Sequence, residues 1–398
     1  MSTAIFTGKV ILGPADAVIE PGGVLIGDDR RIAAVGHALN IERLLDDNTD
    51  RHDFPGATAM PGLIDCHVHL AFDSSAAPFE VLSHADRATL LHSMAERAHQ
   101  LVSSGVTTAR DLGDRDGLVA TIREHISRDM PGPRLLTAGT PLTCPGGHCG
   151  FLGGEVSTPE EIDHRIQLNV DAGADLIKVM ASGGALTPGG PKMWEAQFDS
   201  QQLRQIVATA ASHNRSVAAH AHGSATIADC VDAGVATIEH CSWRTDSGLI
   251  YDTDTARRMA KAGVSVCRCV TGDWPLFLTQ LGPNAAPLID SILSMRADGV
   301  RFIAGTDAGV PGARFTDYAG MLTFFTEIGF STTEVLDMAT TNAASALGLA
   351  DVGSFRPGSR ADLIVVDGDP LTSLETLRAP QLVVANGTFY WSHLLSDT

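Results

Sequence analysis

Basic residues are scarce in this chain: 28 Lys and Arg stand against 47 Asp and Glu, a formal net charge of −19 at pH 7. Such a field repels phosphate backbones and anionic headgroups, which makes nucleic acid and membrane surfaces poor partners. No uninterrupted run of about 18 apolar residues occurs, so no membrane-spanning helix is expected. The opening residues, MSTAIFTGKVILGPADAVIEPGG, lack a basic segment followed by a long apolar stretch; the expected location is the cytoplasm. Cysteine is sparse as well. Seven are scattered over 398 residues, an odd number that does not read as a disulfide framework. Neither Cys267 with Cys269 nor Cys144 with Cys149 has a second pair at zinc-site spacing, so they are read as buried thiols and not as metal ligands.

What remains is the composition of a core-forming globular protein: 44% hydrophobic, 19% charged and free of low-complexity tracts. Eight short apolar, β-rich runs occupy the middle of the chain: 62–69, 106–112, 134–138, 175–181, 216–222, 236–240, 264–269 and 301–307. Helix-length amphipathic segments or loops separate them. Residues 85–104 place Leu90, Leu91, Met94, Ala98, Leu101 and Val102 on one stripe, and 159–171, 199–212 and 286–297 begin near capping or turn residues. This alternation predicts parallel strands joined by helical crossovers, an α/β fold of the (β/α)8 TIM-barrel type. The ends have another texture. KVILG and GGVLIGDDRRIAAVG near the start and ADLIVVDGD and LVVANGTFYW near the finish read as strands. They predict a small β-sandwich domain built from 1–60 plus 350–398, flanking a barrel over 61–349.

Active sites of such barrels lie at the carboxyl ends of the strands, and several ends here are unusually polar. His67 and His69 close the first run, and the two-residue period of a strand puts both imidazoles on one face. The fifth ends in His220-Ala221-His222, the sixth in Glu239-His240 and the eighth in Thr306-Asp307. Nitrogen and oxygen donors meeting at one mouth suit a divalent metal. Lys178, amid Leu176, Ile177, Val179 and Met180, is costly to bury unpaired. Either its ammonium snorkels or pairs with a carboxylate such as Asp307, or desolvation keeps the amine neutral and carbon dioxide converts it to an anionic carbamate.

The ordered segments PGLIDCHVHL, IKVMASGG, AAHAHG, TIEHC and AGTDAG resemble the metal-dependent amidohydrolase superfamily over nearly the whole chain. Within it the closest texture is that of the imidazolonepropionase-related, prolidase-like binuclear subgroup. The resemblance implies two divalent metal ions, with zinc the default. His67, His69 and Asp307 would hold one, His220 and His240 the other, and carboxylated Lys178 would bridge them. That lysine argues against the deaminases of the superfamily, which typically use one metal. His222 is expected outside the ligand set, as a contact to substrate or to a ligand. His148, in the glycine-rich loop 143–154, is read as a substrate contact, with an ordinary surface loop as the alternative. Arg244 offers a guanidinium fork for a substrate carboxylate, against a salt bridge to Asp246 or a solvated position. Arg110 and Asp111 are read as a supporting pair, and Trp194, Trp243 and Trp274 as core or rim packing. The implied reaction is hydrolysis of an amide bond in a dipeptide or N-acyl amino acid by a metal-bridging hydroxide, with Asp307 as the proton carrier. Alternatives are a hydrolase of a cyclic amide, a lactone or a xenobiotic amide of the ochratoxin type, and a non-catalytic barrel scaffold. A small-molecule substrate and a homo-oligomeric assembly complete the expectation.

Overall fold

The computed structural model describes residues 2–128 and 130–391; the stretch 392–398, assigned above to the β domain, lies outside the described residues. Each of the eight expected runs overlaps a strand, the fifth and sixth strands running on past the expected ends: Leu63–Val68, Val106–Asp111, Arg134–Thr137, Ile177–Met180, Val217–Gly223, Thr237–Thr245, Ser265–Cys267 and Arg301–Ile303. The first three pair in parallel as one sheet, and the last five as another. Backbone hydrogen bonds join the two at both seams. Cys66 donates to the carbonyl of Ala304 at 2.9 Å and Asp307 to that of His67 at 2.8 Å; Leu142 donates to Lys178 at 2.9 Å and Met180 to Leu142 at 2.8 Å. The result is a mixed α/β architecture with parallel sheets and helical crossovers.

The crossover helices start where the caps demand. Pro159–Asp171 opens on a reciprocal capping box between Thr158 and Glu161, and Ser200–Ser212 opens on Asp199, whose carboxylate accepts from the amides of Gln201 and Gln202. The stripe from Leu90 to Val102 is buried along Arg87–Ser103, although the expected helix 85–104 is preceded by a separate short one, Pro78–His84. Among the described residues no helix is long and apolar enough to cross a membrane.

The terminal strands form one hydrogen-bonded mixed sheet of eight strands where a two-sheet sandwich was expected. Thr3–Ile11 pairs in parallel with the long strand Asp50–Pro61, and Asp50–Pro61 then pairs antiparallel with Leu363–Asp367 from the other end of the chain. The sheet curls over its own core, because Val24 and Ile32 from one side share a cluster with Leu363, Val365, Leu382 and Val384 from the other. Strand alternation sends Ile364, Val366, Val383 and Ala385 to the opposite face, where they join the main core. One sheet therefore seals two cores and ties both termini to the parallel strands.

Candidate metal centre

The strand Leu63–Val68 and the residue after it deliver His67 and His69 to the same end of the parallel strands that receives Asp307. His67 Nε2 lies 3.2 Å from His69 Nε2 and 3.2 Å from Asp307 Oδ1, and His69 Nε2 lies 3.4 Å from the same oxygen. An ion about 2.0–2.1 Å from three tetrahedral donors separates those donors by roughly 3.4 Å. The far ring nitrogens are occupied as such a centre requires: His67 Nδ1 faces Glu239 Oε2 at 3.0 Å, and His69 Nδ1 faces the carbonyl of Gly113 at 3.2 Å. These contacts fix both Nε2 lone pairs toward Asp307. The Oδ1 atom of Asp307 is buried and faces these two imidazole nitrogens. The donor set fits a divalent ion.

A second group forms on the neighbouring strands from His220, His222 and His240. The His222 and His240 rings stack with centroids 4.8 Å apart, and His220 meets His240 at 4.7 Å. His222, expected outside the ligand set, thus stands inside this cluster, with Nδ1 2.7 Å from Ser242 Oγ. His220 Nε2 lies 3.1 Å from the carbonyl of Gly183. The two groups face one another across the cavity: His240 Nε2 is 4.0 Å from Asp307 Oδ2. Both His240 and Asp307 have left-handed backbone, with φ of 67° and 60°, a conformation that is uncommon away from glycine and concentrates at functional sites.

Burial sets the electrostatics. It lowers the pKa of His67 and of His148 to about 4, and those of His220, His222 and His240 well below the usual value. All are therefore neutral at physiological pH, the form in which an imidazole can donate its lone pair. Burial opposes ionisation of Asp307, but His67, His69 and Lys178 outweigh it and bring the carboxyl down to about 2. Lys178 is 1% exposed, its Nζ has no partner, and burial lowers its pKa despite Glu239 and Asp307 nearby. The expected alternative of an ion-paired or snorkelling ammonium is not what this structure has.

His148 is buried and packs against the His220 ring at 4.6 Å, which sets aside the surface-loop alternative. Close approach explains the second glycine of IKVMASGG: a Cβ at Gly184 would sit 2.4 Å from the His148 ring. Arg244 falls on the strand Thr237–Thr245 and lines the same cavity. Among the described residues it makes no ion pair with Asp246, and its Nε is buried without a partner. Arg110 and Asp111 do not pair with one another. Arg110 binds Glu239 at 2.9 Å, while Asp111 accepts from the backbone amides of Leu70 and Gly113. Trp243 is fully buried, with Nε1 3.3 Å from Met295 Sδ; Trp274 packs on Phe324 and Trp194 is partly exposed.

Sequence reasoning passed over Glu239 as a residue with a role, and also Arg268 and the neighbourhood of the thiols. Cys267 and Cys269 come together with His67 and Glu239, Cys269 Sγ lying 3.2 Å from His67 Nδ1. Burial raises both thiol pKa values. The cysteines are buried as expected, except for partly exposed Cys144.

A cavity of about 380 Å³ connects both histidine groups with Lys178, His148, Arg244 and Arg268. Parallel strands carrying convergent imidazoles and a carboxylate at their carboxyl ends define a hydrolase of the amidohydrolase type. This chain belongs to the amidohydrolase family, whose pattern matches residues 58–389; it is a hydrolase acting on C–N bonds. The family is typically metal-dependent. The chain is 27% identical to the ochratoxinase of Aspergillus niger, across 96% of this chain and 84% of that one. It is 27% identical to the imidazolonepropionase of Sphingopyxis alaskensis, across 87% of each. A solved Xaa-Pro dipeptidase with methionine bound in its active site superposes with a TM-score of 0.85, at 26% identity, over 98% of this chain and 100% of that one.

Proposed function

We propose that this chain is a binuclear metal-dependent amidohydrolase that cleaves the amide bond of a dipeptide or an N-acyl amino acid. The observation that carries the reading is the meeting of two donor groups in one cavity, His67, His69 and Asp307 opposite His220, His222 and His240, with the unpartnered Lys178 amine beside them. His67, His69 and Asp307 would hold one divalent ion and His220 and His240 the other, zinc being the default. Burial favours the uncharged Lys178 amine; its Nζ would add to the carbon of carbon dioxide and release a proton, and the resulting carbamate would be an anionic oxygen ligand for both ions. Such ions polarise a carbonyl and lower the pKa of water from 15.7 toward about 7.

The side chains of this protein supply the rest. Asp307 Oδ2 takes a proton from the attacking water and passes it to the leaving amine nitrogen. Glu239 and the carbonyl of Gly113 keep His67 and His69 turned toward the centre. His148, His222 and Arg244 line the space for substrate. In this reading the eight parallel strands close as a (β/α)8 barrel over 61–349, flanked by a β domain drawn from 1–60 and 350–398. The chain works in the cytoplasm as a homo-oligomer on a small-molecule substrate. Likeness to the Aspergillus niger ochratoxinase favours a second reading, a hydrolase of a xenobiotic amide.

The test is metal content of protein purified without chelator, beside Lys178→Ala, with both assayed on a library of dipeptides and N-acyl amino acids. Two metals per chain that fall sharply in the variant, together with amide cleavage, support the reading. One metal with unchanged occupancy in the variant refutes the bridge, and a metal-loaded protein that cleaves no library member refutes the substrate class.

A further inference from the structure

Two guanidinium groups face the cavity with nothing to balance them. Arg268 directly follows the strand Ser265–Cys267 and is 5% exposed; Arg244 lies near the end of the neighbouring strand and is half-buried. Both line the cavity. Among the described residues neither has a hydrogen-bonding or ion-pairing partner, and the Nε of each is buried and unsatisfied. Burial first, with the positive charge of Arg244 adding to it, brings the Arg268 pKa down to about 10. His222 feels both cations.

An uncompensated buried cation is costly, and two side by side are costlier. The nearby carboxylates are committed elsewhere. Asp307 faces His67 and His69, and Glu239 is held by Arg110 and His67. The same cavity also has apolar lining, including Met180, Leu186, Met193 and Phe277. Fold stability gains nothing from such a pair, so the missing negative charge has to arrive with a ligand.

We propose that Arg268 and Arg244 together clamp the free carboxylate of the substrate, making Arg268 a specificity-determining residue and restricting the enzyme to amides whose amine portion carries a carboxylate. The assignment rests on the amide-hydrolase reading above and narrows it. Guanidinium forks match a carboxylate bidentately, and two of them span both oxygens with donors to spare. The apolar wall accommodates an uncharged side chain. Cyclic amides, lactones and blocked amides, which bring no carboxylate, leave both guanidiniums unpaired in the complex and are rejected.

The experiment compares N-acyl amino acids with their C-terminal carboxamides on the purified, metal-loaded enzyme, its R268Q and R244Q variants, and R268K. Wild type should prefer the acid by about 100-fold in kcat/KM, the effect of leaving a buried charge without its partner. R268Q should lose about 100-fold on the acid while the carboxamide, which makes no ion pair there, loses far less, collapsing the acid-to-amide ratio, and R268K should keep part of that ratio because the charge remains without the fork. The acid-to-amide ratio is internal to each sample, so a partly unfolded variant does not mimic the result. Equal cleavage of acid and carboxamide by wild type overturns the clamp, as does an R268Q that keeps the preference. Binding of N-acetyl-leucine and its carboxamide, measured calorimetrically, separates the two levels. Arginine-dependent binding of the acid without hydrolysis of any amide leaves the clamp standing and sinks the hydrolase reading; hydrolysis without carboxylate preference does the reverse.

Discussion

Glu239→Gln is the most informative single substitution outside the cavity wall. The carboxylate is wholly buried and accepts from Arg110 Nη2 at 2.9 Å and Thr237 Oγ1 at 2.6 Å, with His67 Nδ1 at 3.0 Å. Burial opposes its ionisation, but Arg110 and His67 hold its pKa well below the usual carboxylate range, so it is an anion at any working pH. Glutamine keeps the shape and removes the charge. Arg110, 2% exposed, then stays buried with its hydrogen bonds to Cys66 and Thr237 but without a counter-ion, a loss of about 3–5 kcal/mol. The amide also presents N–H to the Nδ1–H of His67. Relieving that clash moves the imidazole proton to Nε2, the atom facing His69 and Asp307, and removes a lone pair from the metal position. Metal affinity should fall by about 10–100-fold. Urea unfolding of the metal-free protein reads the first effect, and chelator competition on the folded protein reads the second. An E239Q protein with wild-type metal affinity would refute the orienting role of Glu239; one with wild-type unfolding energy would refute the buried ion pair.

Three further outcomes are expected. Asp307→Asn should cut turnover by about 10²–10⁴-fold, the usual contribution of a proton carrier, with far-ultraviolet circular dichroism unchanged; wild-type turnover in that variant removes Asp307 from the reaction. Stripping metal should lower the melting temperature and abolish activity, and reconstitution of wild type but not of Lys178→Ala should speed up with added bicarbonate; a rate indifferent to bicarbonate counts against the carbamate. The third outcome concerns pH. Burial lifts the Asp362 carboxyl from its ordinary 3.8 to about 6, so between about pH 4 and 6 the folded chain holds a proton there that the unfolded chain has released. Stability from this group falls as pH rises through that window. Asp362→Asn removes the slope, so it should gain on wild type in urea midpoint between pH 4.5 and pH 7, and a constant difference would contradict the shift.

Much of the site was legible because its signals are local. His67 and His69 share a strand face by the two-residue period, and Thr158, Asp199 and the stripe from Leu90 to Val102 announce their helices within one or two turns. The eight strand cores and the placement of polar residues at their carboxyl ends follow from the same short-range patterns. The motif order then pointed to the family without any contact being known. What sequence alone could not supply is pairing across the parallel strands. Glu239 meets Arg110 over a separation of 129 residues and His67 over 172; a carboxylate beside a histidine in TIEHC carries no local mark of either. Arg268 was hidden in VCRCV, where the alternating thiols drew attention and its direction depended on which face the neighbouring strand covered. The terminal strands announced a β domain, yet whether they would make two sheets or one depended on Asp50–Pro61 accepting a partner on each edge. Periodicity fixes which residues share a face, while the closing of distant strands on one another fixes which faces meet, and the charges, orphaned amines and donor distances of this centre exist only after that meeting.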